Sequence, residues 1–164
     1  MVATVRALEL TELPLCESFA REFHAEKKLP GVFKPEVFLK NWTEFLTRYE
    51  AIIFTLWYDA KLVGGLGAMI TPDLSDGRRT ASEMFWYVTR EARNGLDPWK
   101  LVDRFEFWGE IMDVDEYRLT HLLMPGEDPA HVRLAPLYKR RKYTPLEVGY
   151  YKTRVRVEEP HASH

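Results

Sequence analysis

The sequence predicts an α/β protein whose helices pack on a mixed β-sheet. Three observations indicate this fold class. Segments with strand-like and helix-like patterns alternate along the chain of 164 residues. The most apolar segment, residues 82–89, predicts a strand that is buried on both faces and lies inside the sheet. A helix-like segment and a second strand-like segment, residues 117–124, follow it, and this order predicts a parallel crossover unit.

The first half of the chain predicts one strand, two helices and a hairpin. Leu15, Phe19 and Phe23 have the spacing of one face of the first helix. The glycines between residues 64 and 67 weaken the last strand and predict a bulge or the close approach of another segment. The predicted bounds are Thr4–Leu8 for the strand, Leu13–Lys28 and Pro35–Tyr49 for the helices, and Ala51–Tyr58 and Leu62–Ile70 for the hairpin.

The second half predicts three or more strands and two further helices. An aspartate–proline pair opens each helical segment, and Pro136 inside the second one predicts a kink or a split. The complete predicted order is β-α-α-β-β-β-α-β-α-β. The predicted bounds are Ser82–Thr89, Pro98–Asp113, Tyr117–Met124 and Asp128–Arg141, with one or two more strands within Thr144–Val157.

Composition and charge argue against several classes of function. A formal net charge of -2 argues against a general nucleic-acid-binding protein. The single cysteine, Cys16, cannot form an internal disulfide, and the scattered histidines predict no metal site. No signal pattern and no apolar run of ~20 residues occurs. We expect a cytoplasmic protein with one domain, residues 1–157, and a polar tail, residues 158–164.

Two motifs carry most of the functional information. In the first, the apolar strand ends at Val88, Arg93 follows, and the loop leads through Pro98 into a helix. In the second, a short helix ends near Tyr138 and runs through the basic residues Lys139–Lys142 into an aromatic-led strand. Together they resemble the GCN5-related N-acetyltransferase (GNAT) superfamily, and within it the GNAT-fold proteins of tailed bacteriophages.

The resemblance implies a single three-layer domain that transfers an acyl group, acetyl by default, from acetyl-CoA to an amine acceptor without a metal. In the family, N–H groups at a helix N-terminus point at the coenzyme A pyrophosphate. A phage-encoded copy could be virion-associated rather than cytoplasmic. The co-substrate-binding residues that the resemblance implies are Tyr87, Val88, Arg93, Asn94, Gly95, Leu96, Asp97, Pro98 and Trp99.

The loop departs from the family pattern at both glycine positions, which hold Leu96 and Pro98. Pro98 lacks an N–H donor. Asp97 has the position of an N-cap, so we expect its carboxylate to occupy helix N–H groups and to repel phosphate by roughly 1–4 kcal/mol. Arg93 and Arg90 can partly offset this by pairing with phosphate. We expect weak coenzyme A binding; the alternative is simply a well-capped helix after a buried strand.

Tyr138 is in register with the family tyrosine that protonates the departing coenzyme A thiolate. The resemblance therefore implies a general acid at this position, a role that suits a phenol with a pKa near ~10. The alternative is an amphipathic tyrosine that packs its helix against the sheet. Lys142 stands where a glycine normally ends this helix, which predicts a less favourable helix stop.

Glu83 lies on the apolar strand. A carboxylate buried there would have a raised pKa and would accept a proton from an incoming amine, directly or through water. The alternative is a solvated strand-start glutamate or a structural partner for an arginine. We interpret Lys139–Lys142 as a solvated face. Phe33 and its aromatic neighbours are expected in the core, although the resemblance also places Phe33 near the acceptor site.

Two functions of different classes are open. One is an acyl-CoA-dependent N-acyltransferase with Glu83 as base and Tyr138 as acid, whose acceptor is a small molecule or a protein. The other is a catalytically inert GNAT-fold protein that serves as a structural or host-interaction component. An opening between the strands at residues 82–89 and 117–124 would favour the first. The sequence leaves open whether the protein is a homo-oligomer.

Overall fold

A computed structural model describes most of the chain. Its described residues are 2–27, 31–93, 95–120 and 130–146. The chain forms two compact units, Met1–Leu122 and Leu123–His164. The predicted division at residue 157 lies outside the described residues and stays a prediction.

Within the described residues, the first unit has the predicted order of strands and helices. The hairpin and the second helix lie within a few residues of their predicted bounds. The strands are β1 (Ala3–Ala7), β2 (Ala51–Tyr58), β3 (Lys61–Pro72), β4 (Arg79–Val88) and β5 (Glu116–Arg118), and the helices are α1 (Glu17–Glu26), α2 (Pro35–Arg48) and α3 (Trp99–Ile111).

The first helix begins later than predicted. Leu10–Cys16 forms a 3₁₀ segment with Pro14 inside it, and α1 follows. Pro14 cannot donate the amide hydrogen bond that the interior of an α-helix requires. A 3₁₀ segment turns further per residue than an α-helix, so the predicted apolar stripe is broken. Leu15 is therefore 52% exposed, while Phe19 is buried as predicted.

The strands form one sheet in the order β1-β2-β3-β4-β5. Neighbouring strands are antiparallel except β4 and β5, which are parallel, with Thr80 opposite Glu116 and Ser82 opposite Arg118. The predicted parallel crossover unit is therefore confirmed, with α3 as its helix. Strand β4 lies inside the sheet, but the prediction of burial along both faces is wrong at Met84, which is 46% exposed.

Strand β4 carries one residue more than the stretch of β3 that it pairs with. The register passes from Gly67 opposite Phe85 to Ala68 opposite Glu83, so Met84 has no partner and forms a β-bulge. A Cβ atom on Gly67 would collide with the Phe85 ring. The bulge and the close approach that the glycine-rich segment predicts are both confirmed.

Beyond the bulge, the side chains of β4 alternate between the two faces of the sheet. Phe85 and Tyr87 contact Phe19 of α1, with ring centroids 5.8 Å and 6.5 Å apart. Trp86 packs instead on Trp99 of α3, 5.1 Å away. Helices α1 and α2 thus cover one face and α3 the other, which gives the first unit three layers.

The second unit contains one described helix, α4 (Ala130–Arg140). Pro136 lies inside α4 without dividing it. Of the two predicted outcomes the split is therefore wrong, and the kink stays a prediction; a proline removes only one hydrogen-bond donor, and the flanking turns continue. Residues 144–146, predicted to begin a strand, have no regular structure. The rest of that predicted strand, up to residue 157, lies outside the described residues.

Candidate functional site

The edge of β4 that faces β5 is paired only at its beginning. Parallel pairing runs from Thr80 to Ser82, and within the described residues no strand pairs with this edge beyond that point. Leu119 and Thr120 were predicted as strand residues but are not in a strand, and residues 121–124 lie outside the described ranges. Pairing among the described strands therefore stops after Ser82, and the part of β4 beyond it, which no described strand pairs with on this side, is called the open edge below.

Glu83 is the first residue of β4 beyond the paired segment. Its Oε2 atom accepts a hydrogen bond from the Thr120 amide at 3.0 Å, where strand pairing has stopped. Burial raises the pKa of Glu83 to about 7, partly opposed by this hydrogen bond and by the positive charge of Lys27. The predicted rise in pKa is confirmed. A carboxyl group that titrates near neutral pH is suited to proton transfer, and the catalytic role stays a prediction.

Lys27, which follows α1, was missed by the sequence analysis. Its Nζ atom lies 3.8 Å from the centroid of the Phe23 ring. Burial lowers the pKa of Lys27 to about 8, partly opposed by the negative charge of Glu83. The ion pairs of the described residues do not include Lys27. Nothing in the local sequence signals this burial, because Lys27 lies between charged residues at a helix end.

A cavity of about 240 Å³ lies between α1, α2 and the bulge of β4. Seven of its eleven described lining residues are Phe or Trp, and His24 and Asn41 are the polar ones. Strand β4 contributes Met84 and Phe85. Phe33 also lines the cavity, with its ring 6.0 Å from that of His24. The aromatic residues expected in the core thus also form the walls of the cavity. The use of this cavity as an acceptor site stays a prediction.

The end of the open edge is occupied by an arginine. The Thr89 N–H donates to the carbonyl oxygen of Val63 on β3 at 2.8 Å. Because backbone groups alternate along an antiparallel strand, those of Val88 point to the open edge. There the Nε atom of Arg93 donates to the Val88 carbonyl oxygen at 2.7 Å. The Val88 N–H points to the same edge.

Trp86 supplies a test of whether the open edge suits the extended arm of coenzyme A. The indole N–H of Trp86 is buried, and no group in the described part of the chain accepts its hydrogen bond. Buried donors without an acceptor are rare in folded proteins. An amide carbonyl of the pantetheine arm is an acceptor of the required kind. An unpartnered donor therefore lies on the α3 face of β4, and its chemistry fits the arm.

At the start of α3, to which the resemblance assigns the pyrophosphate, some of the backbone N–H groups are already hydrogen-bonded within the chain. The N–H groups of residues 99–101 donate to the carbonyl oxygens of residues 96–98 at 3.0–3.2 Å. The amides of residues 95–97 donate to no backbone acceptor in the described ranges. Gly95 has a φ of 97°, a conformation that glycine adopts readily. Fewer helix amides are thus available to an anion than the resemblance implies.

Asp97 does not cap α3, and the predicted capping role is wrong. Its carboxylate accepts a hydrogen bond from the Tyr58 hydroxyl at 3.2 Å and pairs with Lys100 at 2.7 Å. The N-cap residue is Pro98, with no side-chain cap. Hydrogen bonds from Lys100 and Tyr58 lower the pKa of Asp97, and the bond from Lys100 has the larger effect. The 3₁₀ turn already engages the amides that an N-cap would serve, and Lys100 partly neutralises the charge.

Arg90 and Arg93, predicted to pair with phosphate, both pair with Glu26 of α1. The distances from Glu26 are 2.9 Å to Arg90 and 2.7 Å to Arg93. Burial alone would raise the pKa of Glu26, but hydrogen bonds from both arginines make the net shift downward. The Tyr87 hydroxyl also lies 3.2 Å from Glu26. Because the backbone groups of Val88 point to the open edge, those of its neighbour Tyr87 point to β3.

The remaining predicted co-substrate residues are spread over different environments. Leu96 is 75% exposed, whereas Trp99 is buried against Trp86. Pro98 precedes the first residue of α3. Asn94 lies outside the described residues.

Tyr138 lies in the last turn of α4, in the second unit, half-buried and 6.2 Å from the Tyr143 ring. The helix ends in a Schellman motif, in which the Tyr143 N–H donates to the Tyr138 carbonyl oxygen and the Lys142 N–H to that of Lys139. Lys142 has a φ of 65°, so the predicted unfavourable helix stop is confirmed. The role of Tyr138 as an acid stays a prediction.

Further features of the described residues bear on function. No three or more His, Cys, Asp or Glu side chains among them form a group that could hold a metal ion. None of the described helices is both long and apolar enough to cross a membrane. Lys139, Arg140 and Lys142 are exposed, as expected for a solvated face.

Comparison with known proteins identifies the fold. No family model matches the sequence, and no curated protein is similar to it. Solved structures are similar, with 93–94% of this chain covered. A transcriptional regulator from Bacillus halodurans C-125 has a TM-score of 0.73 at 15% identity, with 100% of its chain covered.

Two further matches are described as acetyltransferases. A predicted acetyltransferase from Clostridium acetobutylicum, solved with acetyl-CoA, has a TM-score of 0.71 at 9% identity, with 96% of its chain covered. An aminoglycoside acetyltransferase from an uncultured soil metagenomic sample has a TM-score of 0.71 at 15% identity, with 97% covered. Together with the five-stranded mixed sheet, these matches show that the chain has the fold of the GNAT acetyltransferases.

Proposed function

We propose that this protein is an acyl-CoA-dependent N-acyltransferase that moves an acetyl group to an amine. The observation that carries the proposal is the open edge of β4 beyond Ser82. Glu83, with a pKa of about 7, stands at the beginning of that edge. Met84, the next residue, lines an aromatic cavity that can receive an acceptor. The fold supports the proposal, because a match of the same fold was solved with acetyl-CoA.

The residues of this chain divide the reaction between them. Bound acetyl-CoA supplies an activated thioester carbonyl. Glu83 accepts the proton of the attacking amine as the nitrogen–carbon bond forms and the carbon–sulfur bond breaks. The Val88 N–H, directed to the open edge, is the predicted donor to the developing oxyanion. Tyr138 gives its proton to the departing thiolate, as the resemblance implies.

We expect weak rather than absent co-substrate binding. The Trp86 indole N–H and the backbone edge of β4 suit the pantetheine arm. The pyrophosphate is left with the amides of residues 95–97, because those of residues 99–101 are engaged. Calorimetric titration with acetyl-CoA should therefore give a dissociation constant in the upper part of the ~1 μM to 1 mM range of enzyme substrates.

Turnover tests the chemistry separately from binding. Release of coenzyme A, followed with a thiol reagent over a panel of primary amines, should identify at least one acceptor. Tyr138→Phe should lower turnover by ~10²–10⁴-fold while acetyl-CoA affinity stays near that of the wild type. Tyr143→Phe, at the same helix end, is the matched control and should retain turnover. Equal turnover of Tyr138→Phe and wild type would remove Tyr138 from the mechanism.

A second function, a GNAT-fold binding or structural module without catalysis, is favoured by a different observation. Arg90 and Arg93 are already paired with Glu26, so neither guanidinium is free for phosphate in this structure. Absence of binding at millimolar acetyl-CoA, in both the wild type and Asp97→Asn, would decide for this module. We also propose that the protein is encoded by a bacteriophage, that it is cytoplasmic or virion-associated, and that it forms a homo-oligomer. Each of these three points needs its own measurement.

A further inference from the structure

The cavity beside Glu83 has the size and walls of a site for a single aromatic ring. An apolar cavity of roughly 150 Å³ is enough to bind benzene. A volume of about 240 Å³ therefore accommodates one ring with a short head group. Trp42 and Phe85 meet edge to face in its wall, with centroids 5.3 Å apart, an arrangement that offers ring faces and edges to a ligand.

A positive charge lies against one of the rings that line this cavity. Lys27 Nζ is 3.8 Å from the ring centroid of Phe23, which lines the cavity. A partly buried ammonium is costly unless an anion pairs with it. The ion pairs of the described residues leave Lys27 out, although Glu83 is near enough to affect its pKa. An anionic group on a ligand would supply the missing counter-charge.

A carboxylate that can bind an amino group lies on β4, next to the cavity-lining residue Met84. Glu83 directly precedes Met84, which lines the cavity, and one of its two carboxylate oxygens is bound to the Thr120 amide. The other oxygen is available to an amino group. Each of the two charges shifts the pKa of the other, and each is next to a residue that lines the cavity: Lys27 lies on the Phe23 ring, and Glu83 precedes Met84.

We propose that the acceptor is an α-amino acid with an aromatic side chain. The ring enters the cavity, the carboxylate pairs with Lys27, and the amino group faces Glu83. This inference rests on the proposed function and names its substrate class. The acetyl group moves from the thioester sulfur to the amino nitrogen, Glu83 takes the proton released there, and coenzyme A leaves as the thiol.

The same features disfavour polycationic acceptors such as aminoglycosides. A polycation requires several carboxylates around it. The described lining residues of the cavity include neither Asp nor Glu, and Lys27 adds a like charge beside the Phe23 ring. One match of the same fold is an aminoglycoside acetyltransferase, so the difference in acceptor is a property of this cavity and not of the fold.

Calorimetry with three related compounds tests the assignment. L-Phenylalanine carries the ring, amine and carboxylate, phenethylamine lacks the carboxylate, and 3-phenylpropionate lacks the amine. We expect L-phenylalanine to bind at least tenfold more tightly than either, with the protein alone or with coenzyme A present. Equal affinity for phenethylamine, or no binding of L-phenylalanine under both conditions, would overturn the proposal.

Two variants separate the head-group site from the ring site. Lys27→Met should weaken L-phenylalanine binding at least tenfold and should not weaken phenethylamine binding, when both are measured well above the pKa of Glu83, where that carboxylate is ionised in both proteins. Lys61→Met is the control, because Lys61 pairs with Glu91 on the surface. Phe33→Ala, in the loop before α2, should weaken all three compounds. Retention of L-phenylalanine affinity in Lys27→Met would overturn the assignment of its carboxylate.

Failure of this inference is distinguishable from failure of the proposed function. Coenzyme A release with phenethylamine or an aminoglycoside, but not with L-phenylalanine, would keep the transferase and overturn the amino-acid acceptor. L-Phenylalanine binding in the expected order, without coenzyme A release from any amine, would keep the binding site and overturn the transferase.

Discussion

Two regions of the first unit hold charged groups near the open edge of β4, and they hold them differently. Beside the bulge, Glu83 and Lys27 are partly buried, and their pKa values are about 7 and about 8. At the start of α3, Asp97 pairs with Lys100 at 2.7 Å, and Arg93 pairs with Glu26 at the same distance. Glu83 and Lys27 can therefore exchange protons near neutral pH, whereas the charged groups at the start of α3 are held in ion pairs.

The difference shows that a motif and an available functional group are separate properties. The loop at residues 93–98 has the spacing that the resemblance identifies, yet its arginine and aspartate are already bound within the chain. The bulge region has no motif in the sequence, yet the pKa values of Glu83 and Lys27 are shifted to about 7 and about 8. Experiments should therefore find proton transfer at the bulge and a weak anion site at the loop.

The largest expected effect separates the two regions by chemistry. Glu83→Gln should lower turnover by ~10²–10⁴-fold, because the amide cannot accept the amine proton. Acetyl-CoA affinity by calorimetry should remain near that of the wild type. Glu91→Gln, a surface carboxylate paired with Lys61, is the matched control and should be unaffected. Full turnover in Glu83→Gln would place the base elsewhere.

The pH profile of the wild type follows from the same group. The raised pKa of Glu83, about 7, means that the carboxyl group is protonated and inactive as a base below that pH. Turnover should therefore increase as pH rises through about 7 and then level off. In Lys27→Met the rise should move to higher pH, because the positive charge that lowers the pKa of Glu83 is removed. An unshifted profile in that variant would contradict the coupling.

The second expected effect concerns the shape of the bulge region. Gly67→Ala would place a methyl group against the rings of Phe85 and Trp42. Overpacking of this kind costs about 1–3 kcal/mol of unfolding free energy, measurable in urea titrations. Because both rings line the cavity, ligand affinity should fall as well. Unchanged stability and unchanged affinity would show that these rings can move aside for the methyl group at no cost in free energy.

The smallest expected effect belongs to the loop. Asp97→Asn removes one negative charge from the start of α3 and should tighten coenzyme A binding by about fivefold, the equivalent of ~1 kcal/mol between exposed charges. Stability should change by less than ~1 kcal/mol, because the exposed pair with Lys100 contributes little. Asp103→Asn, on the same helix, is the control. Tighter binding in Asp103→Asn to the same extent would show a non-specific charge effect.

The order of strands and helices could be predicted because hydrophobic periodicity and turn residues record it locally. The rise in the pKa of Glu83 was predictable too, since its neighbours on the strand are apolar. The role of Asp97 was not, because its partner Tyr58 is distant in the sequence. Lys27 was missed because a helix-end sequence does not show that its ammonium lies on the Phe23 ring and within electrostatic range of Glu83.

The extra residue in β4 has a consequence for how the chain tolerates insertions and deletions. Because Met84 has no partner on β3, removing it would leave Glu83 opposite Ala68 and Phe85 opposite Gly67. A single-codon deletion at residue 84 would therefore keep the register of the later strand residues, and would remove only the bulge and the part of the cavity wall that Met84 forms. A deletion at residue 86, which is paired with Leu66, would instead shift every later residue of the strand by one place and move its side chain to the other face of the sheet.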